Sequence, residues 1–280
     1  MSGRHTTWIS YTATLGALTV ATLLLGLPFV WMLLTSLKSG GEVASYPPVW
    51  ISGEWRWSNY ADAWRVAPFG RFYINSVVVA GTTTFFQVAF ALLMSYAFAV
   101  VRFPGKHVLL IAVLSTMMIP EEMKLVPNFI LLSRLGWFDT YAGLIVPAVA
   151  HAFPVFVMYQ QFRQIPRSLI EAAQADGAHH ARILWHVALP MSRPVLTAVA
   201  LVSLLGQWNA YLWPLIVTNS TSMRTLPLGV AYLRKQAEEG SVQWNLLMAA
   251  AVFVVAPIVI LYTLLQKQFV EGITRGALKG

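Results

Sequence analysis

Residues 12–37 read TATLGALTVATLLLGLPFVWMLLTSL, 26 consecutive positions without an Asp, Glu, Lys or Arg. About 20 helical residues cross the ~30 Å hydrocarbon core of a bilayer, so this run is long enough to span one. No small-residue cleavage site follows a short apolar core, which makes it a retained span rather than a secretory signal. Five further apolar stretches lie at 73–101, 108–126, 141–162, 194–218 and 244–266. The third is the weakest: its clean run ends at Ile119, and Pro120, Glu121, Glu122, Lys124 and Pro127 follow. It is expected to be short, bent or covered by partner helices rather than by lipid. The expected fold is all-α, a polytopic membrane protein with six transmembrane helices forming a single domain over residues 1–280.

Composition agrees with that fold. Of the 280 residues, 57% are hydrophobic and 11% charged, with a mean hydropathy of +0.62, whereas a soluble domain is about 25% charged. Six crossings at about 20 residues each leave no room for a separate soluble enzyme. The chain contains no cysteine, which removes disulfides, thiol nucleophiles and Cys-ligated zinc. The net charge of +8 is the basic excess that cytoplasmic loops carry, and nucleic acid is set aside as a partner. With the amino terminus placed inside, ten of the 19 Lys and Arg residues fall in inner segments and nine in outer ones, which decides little. The short basic turn Arg102 to Lys106 favours both termini cytoplasmic. Trp50, Trp55, Trp57 and Trp64 in the outer loop 38–72 suit interfacial anchoring or contact with a partner.

The spans hold no ionisable Asp, Glu, Lys or Arg apart from the ragged outer end of the third. Ion-coupled carriers commonly keep such groups in the membrane to bind the coupling ion or relay a proton, so a secondary carrier is disfavoured. There is also no G-x-x-x-x-G-K-[ST] phosphate loop, no G-x-S-x-G and no H-E-x-x-H. His179, His180 and His186 are too loosely spaced to argue for a metal. No catalytic residue, metal site or bound cofactor is assigned to this chain, and a transporter built on it needs a motor in another polypeptide.

The inner loop 163–193 carries the densest signal. In Pro166-Arg167-Ser168-Leu169-Ile170-Glu171-Ala172-Ala173-Gln174-Ala175-Asp176-Gly177, Ser168 and Glu171 have capping-box spacing, the alanines favour helix, and Asp176-Gly177 supplies a left-handed stop. A rigid helix of about two turns is predicted. A second stretch is expected from about His180 to Val187, ended by Leu189-Pro190, with Pro194 opening the fifth span. Such an elbow suits a handle that docks in a groove of a soluble partner. Propensity by itself favours an ordinary capped helical loop.

Glu171-Ala172-Ala173, Gly177, Val187, Leu189 and Pro190 reproduce the pattern E-A-A-x3-G-x9-I-x-L-P, with Val187 in place of Ile. This resembles the signature loop of permease subunits of ABC importers. The resemblance runs over nearly the whole chain and is nearest the second permease of carbohydrate importers, the maltose and glycerol-phosphate type. Supporting segments are Asn75-Ser76, Arg102-Phe103-Pro104-Gly105-Lys106, Thr140 to Leu144, Trp208-Asn209, Trp213-Pro214 and the tail 272–280. It implies the type I ABC importer permease fold in a bacterial or archaeal cell (inner) membrane. The implied partners are a homologous permease forming a heterodimer, two ATP-binding subunits and an extracytoplasmic solute-binding protein. Glu171, Ala172, Ala173, Asp176, Gly177, Leu189 and Pro190 would then couple to the ATPase, Glu171 both capping its helix and accepting a bond from the partner. The tail from about Gly272 would lie near the same interface, and the loop 219–243 would reach towards the binding protein.

Polar residues within the spans are the remaining candidates. Gln87, His151, Gln207 and Asn209, with the aromatic face of Tyr211, suit a hydroxyl-rich solute along a translocation pathway; they suit interhelical hydrogen bonding and packing equally well. Gln207 and Asn209 lie two apart and cannot share one helix face. No span contains an Arg or Lys to clamp a phosphate, which favours a neutral sugar or oligosaccharide over glycerol 3-phosphate or a related phosphodiester. Pro154 and Pro257 are expected to kink their helices.

Overall fold

A computed structural model of the chain describes residues 3–240 and 243–277. The described residues form helices joined by turns and loops, without a strand. In order, the helices are α1 (Gly3–Ser36), α2 (Gly40–Val43), α3 (Ser58–Val66), α4 (Phe69–Ala99), α5 (Lys106–Ser115), α6 (Glu121–Leu135), α7 (Tyr141–Val149), α8 (Ala152–Arg163), α9 (Arg167–Ala175), α10 (His180–Ile183), α11 (Leu189–Trp208), α12 (Leu212–Val217), α13 (Leu226–Glu238) and α14 (Trp244–Ala277). Five segments are long and apolar enough to cross a membrane: Ala13–Ser36, Phe69–Ala99, Tyr141–Arg163, His180–Trp208 and Trp244–Gln266. The third stretch of the sequence is a shorter apolar helix, Lys106–Met118. At ~1.5 Å per residue it falls short of the hydrocarbon thickness, because the chain leaves helical geometry at Ile119 (ψ 113) and Pro120 (ψ 143) before α6 begins. The tail segment 272–280 runs past the described residues at 278–280.

The chain divides into two compact units, 1–67 with 230–256, and 68–229 with 257–280. In the first unit α1 exposes apolar side chains such as Leu23, Leu24 and Leu25, as a lipid-facing helix does. The segment after it is held by polar bonds. Lys38 is buried, lies 4.3 Å from the Trp31 ring centroid and donates to the Val49 carbonyl. Ser39 caps α2 in a capping box with Glu42. The Glu42 carboxylate accepts from the Ser39 amide, Ser52 Oγ and the Gly53 amide. These donors, the Ser39 amide foremost and then Ser52, push its pKa down to about 2. Trp50, Trp55, Trp57 and Trp64 are all exposed; Trp50 meets Trp31 edge-on and Trp64 meets Phe253 edge-on.

The second unit is organised by α4, whose 31 residues carry no proline and only Arg71 as a charge. Ala91, Leu92, Tyr96 and Phe98 near its end form one core with Val155, Met158 and Phe162 of α8, Ile170 of α9, and Ile183, Leu184 and Val199. A separate small core near its start gathers Val79, Leu132, Leu144, Val217 and Met223. Along α4 the small residues Thr83, Ala91 and Ser95 are buried, which lets neighbouring backbones approach closely. The bend expected of Pro154 falls just before it, as a break at Ala150 (ψ 85) and at His151, which is in extended backbone. Pro154 sits in the first turn of α8, where its missing N–H is lost at no cost.

Candidate functional site

Three places in the second unit bring chemistry-bearing residues together. The first is the elbow between α8 and α11. α9 starts one residue before the expected capping position, with Pro166 as the N-cap and no side-chain cap. Fixed φ at Pro166 preorganises the entry, and Ser168 falls inside the first turn. The predicted Ser168–Glu171 capping box is therefore not formed, and among the described residues the Glu171 carboxylate has no bonding partner. Gly177 does take the left-handed conformation (φ +78) that ends the helix, with its N–H and that of Ala178 returning to the Gln174 and Ala173 carbonyls.

The expected stop at Leu189-Pro190 is also absent. α10 runs on through a π-helical turn, Leu184–Ala188, into α11 without interruption. The wider turn drops the hydrogen-bond register by one residue, so Pro190 enters at the first turn of α11, where it is tolerated.

One face of this elbow is fixed. Ile170, Ile183, Leu184 and Ala188 are buried against Tyr96 and Phe162, with Ala173, Val187 and Leu189 half-buried beside them. The Tyr96 ring meets Phe162 edge-on at 6.1 Å, and its hydroxyl lies 3.2 Å from His180 Nδ1. The opposite face is open: Glu171, Ala172, Gln174, Ala175, Asp176 and Gly177 are exposed. Of the coupling candidates, Glu171, Ala172, Asp176 and Gly177 share this surface. Ala173, Leu189 and Pro190 are half-buried and belong to the packing.

The second place is the opposite end of α4. Asn75 is fully buried and donates to the Ser222 and Arg224 carbonyls, both at 2.8 Å, while its Oδ1 accepts from the Tyr141 hydroxyl at 2.7 Å. Arg71 Nε also reaches Ser222 O, and Ser76 Oγ accepts the Leu226 amide at 2.8 Å. Asp139, in left-handed backbone (φ 58), accepts the Asn219 and Ser220 amides at 3.0 Å. Partial burial would raise its pKa, yet the bonds from Ser220 and Asn219 outweigh this and hold the carboxyl below its usual value. The clasp fixes the loop 218–226. At Gly229, in the first turn of α13, an added Cβ would fall 2.4 Å from the Phe72 ring.

The third place is the pair of helix breaks. Gln87, buried in α4, gives its amide to the Ala148 carbonyl at 2.6 Å, one of the groups freed where α7 ends. His151 opens α8, and its Nε2 lies 3.1 Å from Glu121 Oε1 at the start of α6. Gln87 and His151 thus meet at one break. Gln207, Asn209 and Tyr211 lie at another, between α11 and α12, where Asn209 Nδ2 bonds back to the Leu205 carbonyl and Tyr211 is exposed. Glu121, at the ragged outer end of the third apolar stretch, was not among the pathway candidates; the signal for it was the Ile119-Pro120 stop immediately before two acids.

Comparison with known proteins gives these sites a context. The family model described as "Binding-protein-dependent transport system inner membrane component" matches residues 10–275. The diacetylchitobiose uptake system permease protein NgcG of Streptomyces coelicolor is 33% identical over 255 residues, covering 90% of this chain and 83% of that protein. The sn-glycerol-3-phosphate transport system permease protein UgpE of Yersinia pseudotuberculosis is 30% identical over 262 residues, covering 91% and 93%. Among solved structures, a bacterial ABC transporter involved in the import of the acidic polysaccharide alginate superposes with a TM-score of 0.82 at 23% identity, covering 96% of this chain and 99% of that one. A second, the alginate ABC transporter in complex with an alginate pentasaccharide-bound periplasmic protein, gives 0.65 at 15% identity over 94% and 95%. At these identities the solved structures establish the fold, the permease fold of an ABC importer. The chain belongs to the family of binding-protein-dependent transport system inner membrane components.

Proposed function

We propose that this chain forms half of the translocation pathway of an ATP-driven importer of a neutral sugar or oligosaccharide. It pairs with a homologous permease, two ATPase subunits and an extracytoplasmic solute-binding protein, with both termini in the cytoplasm. The observation that carries the proposal is the two-faced elbow. A rigid short helix is gripped on one side by an apolar core and presents Glu171, Ala172, Asp176 and Gly177 on the other. An exposed, unpartnered carboxylate on a preorganised helix suits a charge-assisted bond to a partner, and the buried face transmits the partner's movement to α4, α8 and α11. Hydrolysis of ATP is assigned to the partner, because this sequence carries no phosphate loop.

For the solute, the relative NgcG is named for diacetylchitobiose uptake and UgpE for sn-glycerol-3-phosphate transport. Within the apolar runs of this sequence the one Lys or Arg is Lys124, at the outer end of the third, and this scarcity of cations favours the neutral class. The test is reconstitution of the four-component importer in liposomes. Uptake of labelled diacetylchitobiose is expected to need ATP inside and the binding protein outside. Uptake by this chain alone, driven by an ion gradient, would overturn the proposal.

A further inference from the structure

His151 is the eleventh residue of the 23-residue span Tyr141–Arg163, so at ~1.5 Å per residue it lies near mid-membrane. Glu121 Oε1 is 3.1 Å from its Nε2, which places a carboxylate at the same depth. Yet the Glu121 side chain is 72% exposed and that of His151 39%. An ionisable pair at this depth is costly against hydrocarbon and faces a bundle interior or a water-filled cavity. The backbone gives the same answer independently. Both residues sit at helix breaks, at Ile119–Pro120 and Ala150–His151. Non-helical backbone at membrane depth is tolerated where protein buries it or where it lines an aqueous cavity. Gln87 of α4 satisfies the Ala148 carbonyl at this break, and Glu121 meets His151 there.

Resting on the importer reading above, we infer that Glu121 and His151 line the aqueous solute pathway and recognise the hydroxyls of a neutral solute. Glu121 Oε1 is engaged by His151; among the described residues Oε2 and His151 Nδ1 have no partner. Oε2 accepts a hydroxyl proton, and Nδ1 meets a second hydroxyl as donor or acceptor according to its tautomer. The carboxylate repels an anionic solute such as a phosphate ester, so the pair is a selectivity element as well as a binding one.

The chain's lack of cysteine makes the test direct. In the assembled importer, Glu121→Cys, His151→Cys and the mid-span control Leu24→Cys in α1 are exposed in turn to a charged, membrane-impermeant thiosulfonate, and labelling of this subunit is followed. The first two are expected to react at least tenfold faster than Leu24→Cys. Diacetylchitobiose at millimolar concentration is expected to slow that reaction at least threefold, and glycerol 3-phosphate to slow it less. Rates equal to Leu24→Cys overturn the aqueous placement. Protection by neither compound, or better protection by glycerol 3-phosphate, overturns the hydroxyl-accepting role. Glu121→Gln, which preserves shape, is expected to cut uptake of diacetylchitobiose at least tenfold while the importer still assembles at the normal level; unchanged uptake overturns the inference. A wild-type importer that takes up solute without ATP refutes the importer reading instead, and the labelling pattern still reports on the pair.

Discussion

The two ends of α4 hold their neighbours by different physics. Around Tyr96 the grip is apolar: Phe162, Ile170, Ile183 and Leu184 close over one another, and burial without directional bonds fastens a whole helical elbow as one body. Around Asn75 the grip adds to a small apolar core a set of hydrogen bonds onto the backbone of the loop 218–226, which fixes the path of that loop residue by residue. An apolar socket can carry load from any direction, because dispersion and burial are non-directional. A polar clasp specifies one conformation and fails when a single donor is removed. In an importer, the first suits the end that receives mechanical work and the second the end that must keep a loop in one shape.

The comparison can be broken most severely at the socket. Tyr96→Ala removes a large buried ring, a truncation worth about 3–5 kcal/mol. It is expected to abolish ATP-driven uptake in the reconstituted importer while the chain still inserts, and normal uptake would show that the elbow does not lean on α4. Asn75→Ala should cost about 2–3 kcal/mol, since it strands two backbone carbonyls and the Tyr141 hydroxyl. Limited proteolysis within 219–225 is expected to rise roughly 30- to 150-fold, as opening scales with the lost free energy at about 1.4 kcal/mol per factor of ten, with the elbow unchanged. Cleavage appearing at the elbow instead would erase the distinction between the ends.

Tyr96→Phe keeps the ring and loses only the contact with His180, about 1 kcal/mol. A small drop in thermal stability with uptake retained is expected; a loss as large as that of Tyr96→Ala would mean that the bond, not the burial, makes the socket.

The smallest effect concerns pH at the clasp. Asp139 is held below its usual pKa in the folded protein, so the stability it contributes is fully present above the unfolded carboxylate value of about 3.9 and disappears as pH falls through the lower folded value. Hydrogen exchange at Asn219 and Ser220, corrected for intrinsic rates, is expected to stay protected from pH 7 to about pH 4 and to weaken below that. Asp139→Asn should remove this pH dependence, and an unchanged profile in that variant would assign it to another group.

Much of this was legible in the sequence. Apolar runs located the membrane-crossing helices, because length and charge exclusion are strong one-dimensional signals. Gly177 marked the end of α9, because left-handed backbone is a glycine position. What failed was local register. Ser168 and Glu171 have capping-box spacing, but Pro166 starts the helix earlier and fixes the first turn. Leu189-Pro190 reads as a stop, but a π-turn at Leu184–Ala188 changes the register before the proline arrives, and such a turn has no compositional mark. The Asn75 clasp spans some 150 residues to its partners, and Glu121 meets His151 across 30. Pairings over such separations leave no trace in a single chain read in order. The open face of the elbow lay between these cases: the residue types were visible, while the division into a buried Ile170 side and an exposed Glu171 side needed coordinates.

In the proposed importer the exposed face of the elbow receives work from an ATPase, and Gly177→Asp probes that role. A Cβ at Gly177 meets nothing within 4 Å, so the cost inside the fold is the left-handed backbone alone, about 1–2 kcal/mol. Gly177→Asn, which tolerates that backbone better, is the control. The account predicts that Gly177→Asp inserts and pairs with its partner permease at the normal level but loses ATPase binding and at least nine-tenths of uptake. A Gly177→Asp importer that binds the ATPase and transports normally would contradict it.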